Sequence, residues 1–215
     1  MNIKSFIKTI LSKRKIRVLK KYVTLQGNNY DKYLFTWDSS VTLNDGSSSK
    51  DILFGDRVWM WGQLCSQSGG RIILGNYSKI GAKSTLCAVE SITIGDYTAI
   101  AENVHIMDNN NHPVNPEYRK FMRINGDDES RLWKHSDHKA VYIGENCWIG
   151  RNVSVLKGVS IGNNSVIAAN SVVTKSIPAN CIAAGNPAKV VKTDINEIKP
   201  PTSCKNFNQY ILEHY

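Results

Sequence analysis

Four of the five histidines in this 215-residue chain fall within one stretch, and imidazole is a side chain commonly used for proton transfer or metal binding near neutral pH. They are His105, His112, His135 and His138. Metal ligands carried by a repeating scaffold would recur at a fixed spacing. Three of the four instead lie in a non-repeating stretch, so the sequence argues against a metal centre.

The cysteines give no metal or disulfide signature either. Five are present, an odd number, widely spaced and without a CxxC pair: Cys65, Cys87, Cys147, Cys181 and Cys204. Thiolate zinc sites and disulfide frameworks usually show paired spacings. We therefore expect free thiols, mostly buried.

The non-repeating stretch that contains three of the histidines runs from residue 107 to residue 140. Long excursions without repeat from a compact body are usually either functional or disordered. This one carries Tyr118, Phe121 and Trp133, more aromatic character than a disordered segment usually has. The sequence predicts an extruded loop that packs against another surface.

On both sides of this loop an aliphatic residue returns at every sixth position. The positions are Leu74, Ile80 and Leu86, then, after a slip of two residues, Ile94, Ile100 and Ile106, and after the loop Ile143, Ile149, Val155, Ile161, Ile167 and Val173. A helix repeats at about 3.6 residues and a half-buried strand at 2, so a period of six indicates a stacked supersecondary unit. The sequence predicts a solenoid.

Residues that tolerate left-handed backbone conformations lie three places after the aliphatic ones in the second block. They are Asn146, Asn152, Gly158, Asn164 and Asn170, with Ser176 in the last repeat. Each hexapeptide is therefore predicted to be a short strand followed by a corner. Three such units close a triangular coil whose aliphatic side chains stack inside, which gives an all-β, parallel architecture.

The net charge of +9 is concentrated at the start of the chain. Residues 1–21 hold eight lysines and arginines and no acidic residue, which leaves 19 of the 27 basic residues against all 18 acidic residues elsewhere. A broad basic surface for nucleic acid is therefore not expected. The chain has no run of 18 apolar residues and no apolar core of a secretory signal, which predicts a cytoplasmic protein.

We predict four segments. They are a basic amphipathic helix over 1–22, irregular leading coils over 23–72, the repeat domain over 73–192 with its extruded loop 107–140, and a tail over 193–215 with a short helix. The N-terminal helix either docks on the solenoid or a partner subunit, or lies on an anionic membrane surface, which would place the protein at the inner face of a membrane. Trp59 and Trp61 are expected to close the open end of the prism.

The motifs NNHPV, CWIG, VVTKSIP and AAGNPAK, together with the repeats, resemble the hexapeptide-repeat acyltransferases over about residues 74–192. They are most similar to sugar O-acetyltransferases of the galactoside and maltose type and to capsular or O-antigen enzymes. The resemblance implies a left-handed parallel β-helix and a homotrimer. It also implies that acetyl-CoA lies between adjacent prisms, that the acceptor is a saccharide, and that no metal is needed.

The resemblance also implies roles for individual residues. His112 corresponds to the general base, which takes the proton of a sugar hydroxyl during direct attack on the thioester and passes it to the departing thiolate. Asp108 and Asn111 are expected to support it. Because it lies close in sequence, either Asp108 or a nearby carbonyl is expected to fix the imidazole tautomer. Trp148 either walls the acetyl or acceptor pocket or is an aromatic at the prism edge.

The donor site is carried over in the same way. Thr174 and Lys175 match the family's TK pair, and Ala169 matches the small residue past which pantetheine runs. Lys189 and Lys192 are expected to meet the phosphates of CoA as point charges. Arg151 departs from the family pattern, and its role stays open between a phosphate contact and a surface charge.

Other functions stay open at this point. An antibiotic O-acetyltransferase or an amino-sugar N-acetyltransferase would share the donor. A trimeric zinc carbonic anhydrase would share the fold, but the histidine spacing does not favour it. A noncatalytic scaffold would not need the HP loop and the TK pair.

Overall fold

The computed structural model describes residues 21–26, 34–35, 39–201, 203–204, 206–207 and 209–210. Residues 1–20 of the predicted N-terminal helix lie outside these residues, and residues 21 and 22 form a turn. The predicted helix of the tail falls partly outside them, and the described residues 206, 207, 209 and 210 are helical.

In the described residues, twenty short strands form three sheets. Their bounds are β1 Thr24–Leu25, β2 Leu34–Phe35, β3 Ser40–Asn44, β4 Ile52–Phe54, β5 Trp59–Met60, β6 Gln63–Gln67, β7 Arg71–Leu74, β8 Lys79–Ile80, β9 Thr85–Ala88, β10 Ser91–Ile94, β11 Ala99–Ile100, β12 His105–Met107, β13 Val141–Ile143, β14 Trp148–Ile149, β15 Ser154–Val155, β16 Ser160–Ile161, β17 Val166–Ile167, β18 Val172–Val173, β19 Ile182–Gly185 and β20 Ala188–Lys192.

Each successive trio of strands makes one triangular coil, and each coil adds one strand to each sheet. The first sheet has the order β1-β4-β7-β10-β13-β16, the second β2-β5-β8-β11-β14-β17-β19-β20, and the third β3-β6-β9-β12-β15-β18. All pairs are parallel except β19 with β20, which is antiparallel and ends the column. The fold is the predicted left-handed parallel β-helix, and the prediction of the fold class is confirmed.

The core is the column of aliphatic side chains inside the prism. All twelve residues of the predicted six-residue period are at most 1% exposed. Burying one such side chain contributes about 1.5–3 kcal/mol, so the column supplies much of the stability.

The corners adopt the left-handed backbone that the asparagines predicted. Their φ angles are 53° at Asn146, 59° at Asn152, 74° at Gly158, 59° at Asn164 and 62° at Asn170. The side chains of these asparagines also form ladders from coil to coil, as where Asn146 Nδ2 donates to Asn164 Oδ1 at 3.1 Å. Ser176 is the exception, since its φ is not positive.

The leading segment is more regular than predicted. Strand β4 pairs with β7 in register, β5 with β8 and β6 with β9, so the column begins well before residue 73. The boundary was wrong because Phe54 and Met60 occupy core positions where later coils use isoleucine or valine. Strand β5 lies inside its sheet between β2 and β8, so Trp59 does not close an open end of the prism.

The extruded loop contains a helix that the sequence analysis did not predict. Helix α1, Pro116–Asn125, starts at the N-cap Asn115, whose side chain accepts from the backbone N–H of Tyr118, and ends at Gly126 with φ 67°. Two 3-10 turns follow, at Glu129–Arg131 and Trp133–His135, and a third, Ile195–Glu197, lies in the tail. In the described part of the chain, no helix combines the length and apolar character needed to cross a membrane.

Candidate active site

The extruded loop leaves and rejoins the body at one point. The backbone N–H of Lys139 donates to the carbonyl of Asp108 at 2.7 Å, and that of Asn110 donates to Asp137 at 3.0 Å. Farther out, the backbone N–H of Trp133 donates to Gln67 Oε1 at 2.5 Å. The loop is therefore closed at its base and tied to a corner of the column.

Asp108 lies at the start of the loop and is fully buried. Its carboxylate accepts from the backbone N–H of Val89 at 3.0 Å and of Glu90 at 2.7 Å, and from Asn109 Nδ2 at 3.0 Å. Among the described residues His112 is not one of its hydrogen-bond partners. Asp108 therefore anchors the loop, and any support it gives to the imidazole passes through the backbone.

The asparagines before His112 set its orientation. Asn111 has a left-handed φ of 62°, and its backbone N–H donates to Asn109 Oδ1 at 2.8 Å. The backbone N–H of His112 then donates to the carbonyl of Asn110 at 2.7 Å. This tight turn leaves the side chain of His112 exposed at the surface of the chain.

Beside His112 lies a small cavity of about 100 Å³, here called the arginine cavity. It is lined by His112, Arg119, Met122, Arg123 and Arg131. Arg119, Met122 and Arg123 share one face of α1 because they are three and four positions apart. Met122 is buried and adds an apolar side chain to the lining.

A larger cleft of about 410 Å³ lies on the outer face of the second sheet, here called the aromatic cleft. It is lined by Trp61, Lys79, Gly81, Ala82, Ala99, Ile100, Ala101, Glu102 and Trp148. Trp148 is 59% exposed, and Lys79 Nζ lies 5.0 Å from the ring centroid of Trp61. The small side chains of the central strands leave a trough between two indole rings.

Arg151 and Ala169 lie one coil apart at the corner beside this cleft, where the backbone N–H of Asn170 donates to the carbonyl of Arg151 at 2.9 Å. Arg151 Nε donates to Glu102 Oε2 at 2.9 Å, and this hydrogen bond holds the pKa of the Glu102 carboxyl below its usual range. Gly150 permits the close stacking, because a Cβ there would lie 2.6 Å from the backbone nitrogen of Ala169.

The other residues predicted to bind acetyl-CoA are all exposed on the last coils. Thr174 and Lys175 follow β18, the last strand of the third sheet, whereas Lys189 and Lys192 belong to β20 on the second sheet. No ion pair within 4.0 Å involves these lysines in the described part of the chain.

Within one chain the predicted catalytic and donor residues do not form a single pocket. The loop with His112 leaves the column after β12 in the third sheet, whereas Trp148 lies on the second sheet. The lining of the arginine cavity and that of the aromatic cleft share no residue.

Three further histidines in the described part of the chain have local partners. Thr85 Oγ1 lies 2.8 Å from His105 Nδ1, and Glu129 Oε1 lies 3.0 Å from His135 Nε2. His138 Nδ1 lies 2.9 Å from the carbonyl of Ser136. In the part of the chain that the structure describes, no three His, Cys, Asp or Glu side chains gather as metal ligands would.

Comparison with known proteins finds a hexapeptide-repeat family and several acetyltransferases similar to this chain. Residues 140–175 match the family described as bacterial transferase hexapeptide (six repeats). The chain is 42% identical over 135 residues to the polysialic acid O-acetyltransferase of Escherichia coli O1:K1 / APEC, which covers 62% of this chain and 40% of that protein. It is 37% identical over 158 residues to the putative lipopolysaccharide biosynthesis O-acetyl transferase WbbJ of Escherichia coli (strain K12), covering 73% of this chain and 76% of that protein.

A solved structure agrees. The hexapeptide-repeat-containing acetyltransferase from Vibrio cholerae O1 biovar eltor, complexed with acetyl coenzyme A, is 25% identical with a TM-score of 0.54, covering 66% of this chain and 70% of that chain. The chain therefore belongs to the hexapeptide-repeat acyltransferase family, which confirms the predicted resemblance. It spans 40% of the length of the polysialic acid enzyme, so the activity of that whole protein does not follow from the similarity alone.

Sequence reasoning missed several residues around the candidate site. Trp61 and Lys79 line the aromatic cleft, and three arginines line the cavity beside His112. The spacing of Arg119 and Arg123 would have placed them on one helix face, had the Asn-Pro start and the glycine end of α1 been recognised. Arg131 had no such signal, because only the fold of the loop brings it to the cavity.

Proposed function

We propose that the protein is an O-acetyltransferase that moves the acetyl group of acetyl-CoA to a hydroxyl of a saccharide, with His112 as the general base. One observation carries the proposal. An exposed imidazole is presented on a loop closed at its base, on a column that also bears a cleft walled by two indole rings. Relatives named as acetyltransferases of polysialic acid and of lipopolysaccharide biosynthesis support the saccharide as acceptor.

The reaction needs one proton carrier. The acceptor oxygen attacks the thioester carbonyl carbon while the imidazole of His112 takes the hydroxyl proton. The carbon–sulfur bond then breaks, and the same proton goes to the departing sulfur, which leaves as the free thiol of CoA. Asn111 contributes the left-handed turn that aims the imidazole, and Asp108 anchors that turn.

The donor is proposed to lie along the last coils. The exposed lysines Lys175, Lys189 and Lys192 are available to the phosphates of CoA, and Thr174 is available to its polar groups. Ala169 has a small exposed side chain that lets a pantetheine arm approach the backbone closely. Arg151 is less available, because Glu102 already accepts from it.

The complete site is proposed to require two chains of a homotrimer. His112 and Trp148 lie on different faces of one column, so a neighbouring copy would bring the cleft of one chain to the loop of the next. The exposed apolar side chains Val114, Phe121 and Ile124 on the loop suit such a contact, with exposed fractions of 65%, 45% and 76%.

The first test is release of free thiol from acetyl-CoA in the presence of a panel of saccharides. We expect acceptor-dependent release that falls by about 10²–10⁴-fold in His112→Ala, because a general base contributes that much. His105→Ala is the matched control, since it removes an imidazole that bonds Thr85 on the outer face of the column. Equal loss in both variants, or release only with antibiotic alcohols or amino sugars, would overturn the proposal.

The second test separates one-chain from two-chain sites. His112→Ala and Trp148→Ala chains are each expected to be weakly active, and co-expression of the two should restore activity at hybrid sites. Random assembly of a cyclic trimer gives intact sites at about a quarter of positions. No gain over the separate variants would show that each chain acts alone.

A further inference from the structure

We propose that the acceptor saccharide is acidic and that its negatively charged group, a carboxylate or a phosphate, binds in the arginine cavity next to His112. The inference rests on the proposed function and specifies its acceptor. Its basis is the composition of the cavity, a small space lined by three arginines, one histidine and one buried methionine.

The arginines are available to an anion. In the described part of the chain, none of the three forms an ion pair within 4.0 Å. Arg119 donates to the carbonyl of Val114, whereas the guanidinium groups of Arg123 and Arg131 have no hydrogen bond among the described residues. A guanidinium group offers paired N–H donors that match the oxygens of a carboxylate or a phosphate. A guanidinium group without an ion-pair partner beside a cavity can therefore recognise either anion.

The acidic residues nearby do not occupy the cavity. Asp127 accepts from the backbone N–H of Ser130 at 2.7 Å and from Asn125 Nδ2 at 2.6 Å. The hydrogen bonds from Ser130 are the largest cause that lowers the pKa of the Asp127 carboxyl. The hydrogen bond from Asn125 and the positive charge of Arg131 lower that pKa further. Glu129 lies 3.0 Å from His135 and 3.8 Å from Lys134. Glu117 and Asp128 are also in the loop, and no carboxylate of the described residues lines the cavity.

The size of the cavity suits a single charged group. A volume of about 100 Å³ exceeds the roughly 30 Å³ that one water molecule occupies, yet it is below the several hundred cubic ångströms typical of whole-ligand pockets. A carboxylate or phosphate substituent fits such a space, while the sugar ring itself would stay outside, beside the imidazole.

The phosphates of CoA are not the expected occupant. The thioester must lie at His112 for the reaction, and the pantetheine arm separates it from those phosphates. A group bound in a cavity that His112 itself lines must therefore belong to the acceptor. Binding it there would also hold a neighbouring hydroxyl close to the imidazole, so the cavity would serve orientation as well as affinity.

The test compares matched acceptors with the 215-residue chain and acetyl-CoA. Methyl glucuronide carries a carboxylate, glucose 1-phosphate carries a phosphate, and methyl glucoside carries neither. We expect at least one of the acidic acceptors to exceed the neutral one in kcat/KM by about 10- to 100-fold, since charge-assisted hydrogen bonds contribute on that scale. Preference between the two acidic compounds identifies the group.

Variants then locate the preference. Arg123→Ala should lower the ratio of acidic to neutral kcat/KM by about tenfold, and Arg123→Lys, which keeps the charge but not the fork, should lower it less. Lys120→Ala removes one positive charge from the same helix outside the cavity and should leave the ratio unchanged. Thermal unfolding of each variant checks that α1 is intact.

The outcomes are separable from those of the proposed function. If no acceptor, acidic or neutral, supports thiol release, the proposed function and this inference are overturned together. Release with equal preference for acidic and neutral acceptors would overturn the inference alone. So would a preference that neither Arg123→Ala nor Arg131→Ala reduces.

Discussion

Arg151 Nε donates to Glu102 Oε2 at 2.9 Å. This hydrogen bond joins a residue predicted to bind acetyl-CoA to a residue that lines the aromatic cleft. The two residues come from successive coils and meet at a corner that the six-residue repeat places in register. The side chain of Arg151 is 65% exposed and that of Glu102 is 51% exposed. The pair therefore competes with water and salt, and with any phosphate that approaches the arginine.

The ion pair predicts a pH-dependent contribution to stability. The folded-state pKa of Glu102 is lowered by the hydrogen bond and charge of Arg151, so its contribution is present above the usual glutamate value of 4.5 and is lost as the pH falls through the lowered value. Glu102→Gln should therefore lower the melting temperature slightly at pH 7, and the difference from wild type should vanish in acid. A difference that grows as the pH falls would contradict this assignment.

The same variant resolves the role left open for Arg151. If Glu102 holds the guanidinium of Arg151 away from acetyl-CoA, Glu102→Gln should lower the KM for acetyl-CoA. Arg151→Ala should then change that KM by about threefold or less. The measurement is a saturation curve for acetyl-CoA at fixed acceptor. A large rise of KM in Arg151→Ala with no effect of Glu102→Gln would mean that Arg151 binds phosphate despite its partner.

A second prediction concerns the core of the prism. Ile161 is fully buried in the aliphatic column, so Ile161→Ala should lower the free energy of unfolding by about 2–5 kcal/mol, and Ile161→Asp should prevent folding. Ser160 precedes it, points outward and is exposed, so Ser160→Ala should stay within about 0.5 kcal/mol of wild type. Denaturant unfolding followed by circular dichroism measures both. Similar losses of unfolding free energy in Ile161→Ala and Ser160→Ala would mean that the column is not the main source of stability.

The fold was predictable because its two signals are local and repeated. Each aliphatic core residue and each corner asparagine reports on its own hexapeptide, so errors do not accumulate along the column. The signals fade in the leading coils, where Phe54 and Met60 fill the same core positions. They also fade in the loop, where helix α1 depends on caps at Asn115 and Gly126.

The site was less predictable because its geometry is tertiary. The motif around His112 singled out that residue by resemblance, but nothing local shows that Arg131 returns to its side. Asp108 illustrates the same limit. Its position four residues before His112 suggested a direct contact, whereas the fold gives its carboxylate to the backbone of Val89 and Glu90 one coil away.

A third prediction concerns Cys65 and Cys87, which face each other on adjacent parallel strands of the third sheet. A hydrogen bond from Cys87 lowers the pKa of the Cys65 thiol, while the same pairing, together with burial, raises the pKa of Cys87. At pH 8, iodoacetamide should therefore modify Cys65 faster than Cys87, because the thiolate is the nucleophile. Peptide mapping by mass spectrometry gives the two rates.

Substitution of Cys87 tests the cause of that difference. Cys87→Ala removes the donor and should slow alkylation of Cys65 about threefold or more, whereas Cys87→Ser keeps a donor and should slow it less. Cys147 is buried, and burial raises the pKa of its thiol, so it should react slowly in every variant. Faster alkylation of Cys65 in Cys87→Ala would show that access, and not the hydrogen bond, controls its reactivity.

The last prediction separates anchoring from direct catalysis at Asp108. Asp108→Asn replaces a carboxylate acceptor of backbone N–H groups by an amide, and hydrogen bonds to a carboxylate contribute about 1.5–3 kcal/mol each. We expect a loss of stability of that order and a lower kcat, because the turn carrying His112 loosens. The kcat should drop without a change in the shape of the pH–rate profile, since the carboxylate does not contact the imidazole.

Asp137→Asn is the matched control at the other side of the loop base. Among the described residues, only the backbone carbonyl of Asp137 accepts a hydrogen bond there. A shifted pH–rate profile in Asp108→Asn, with unfolding unchanged, would instead make Asp108 the direct partner of the imidazole.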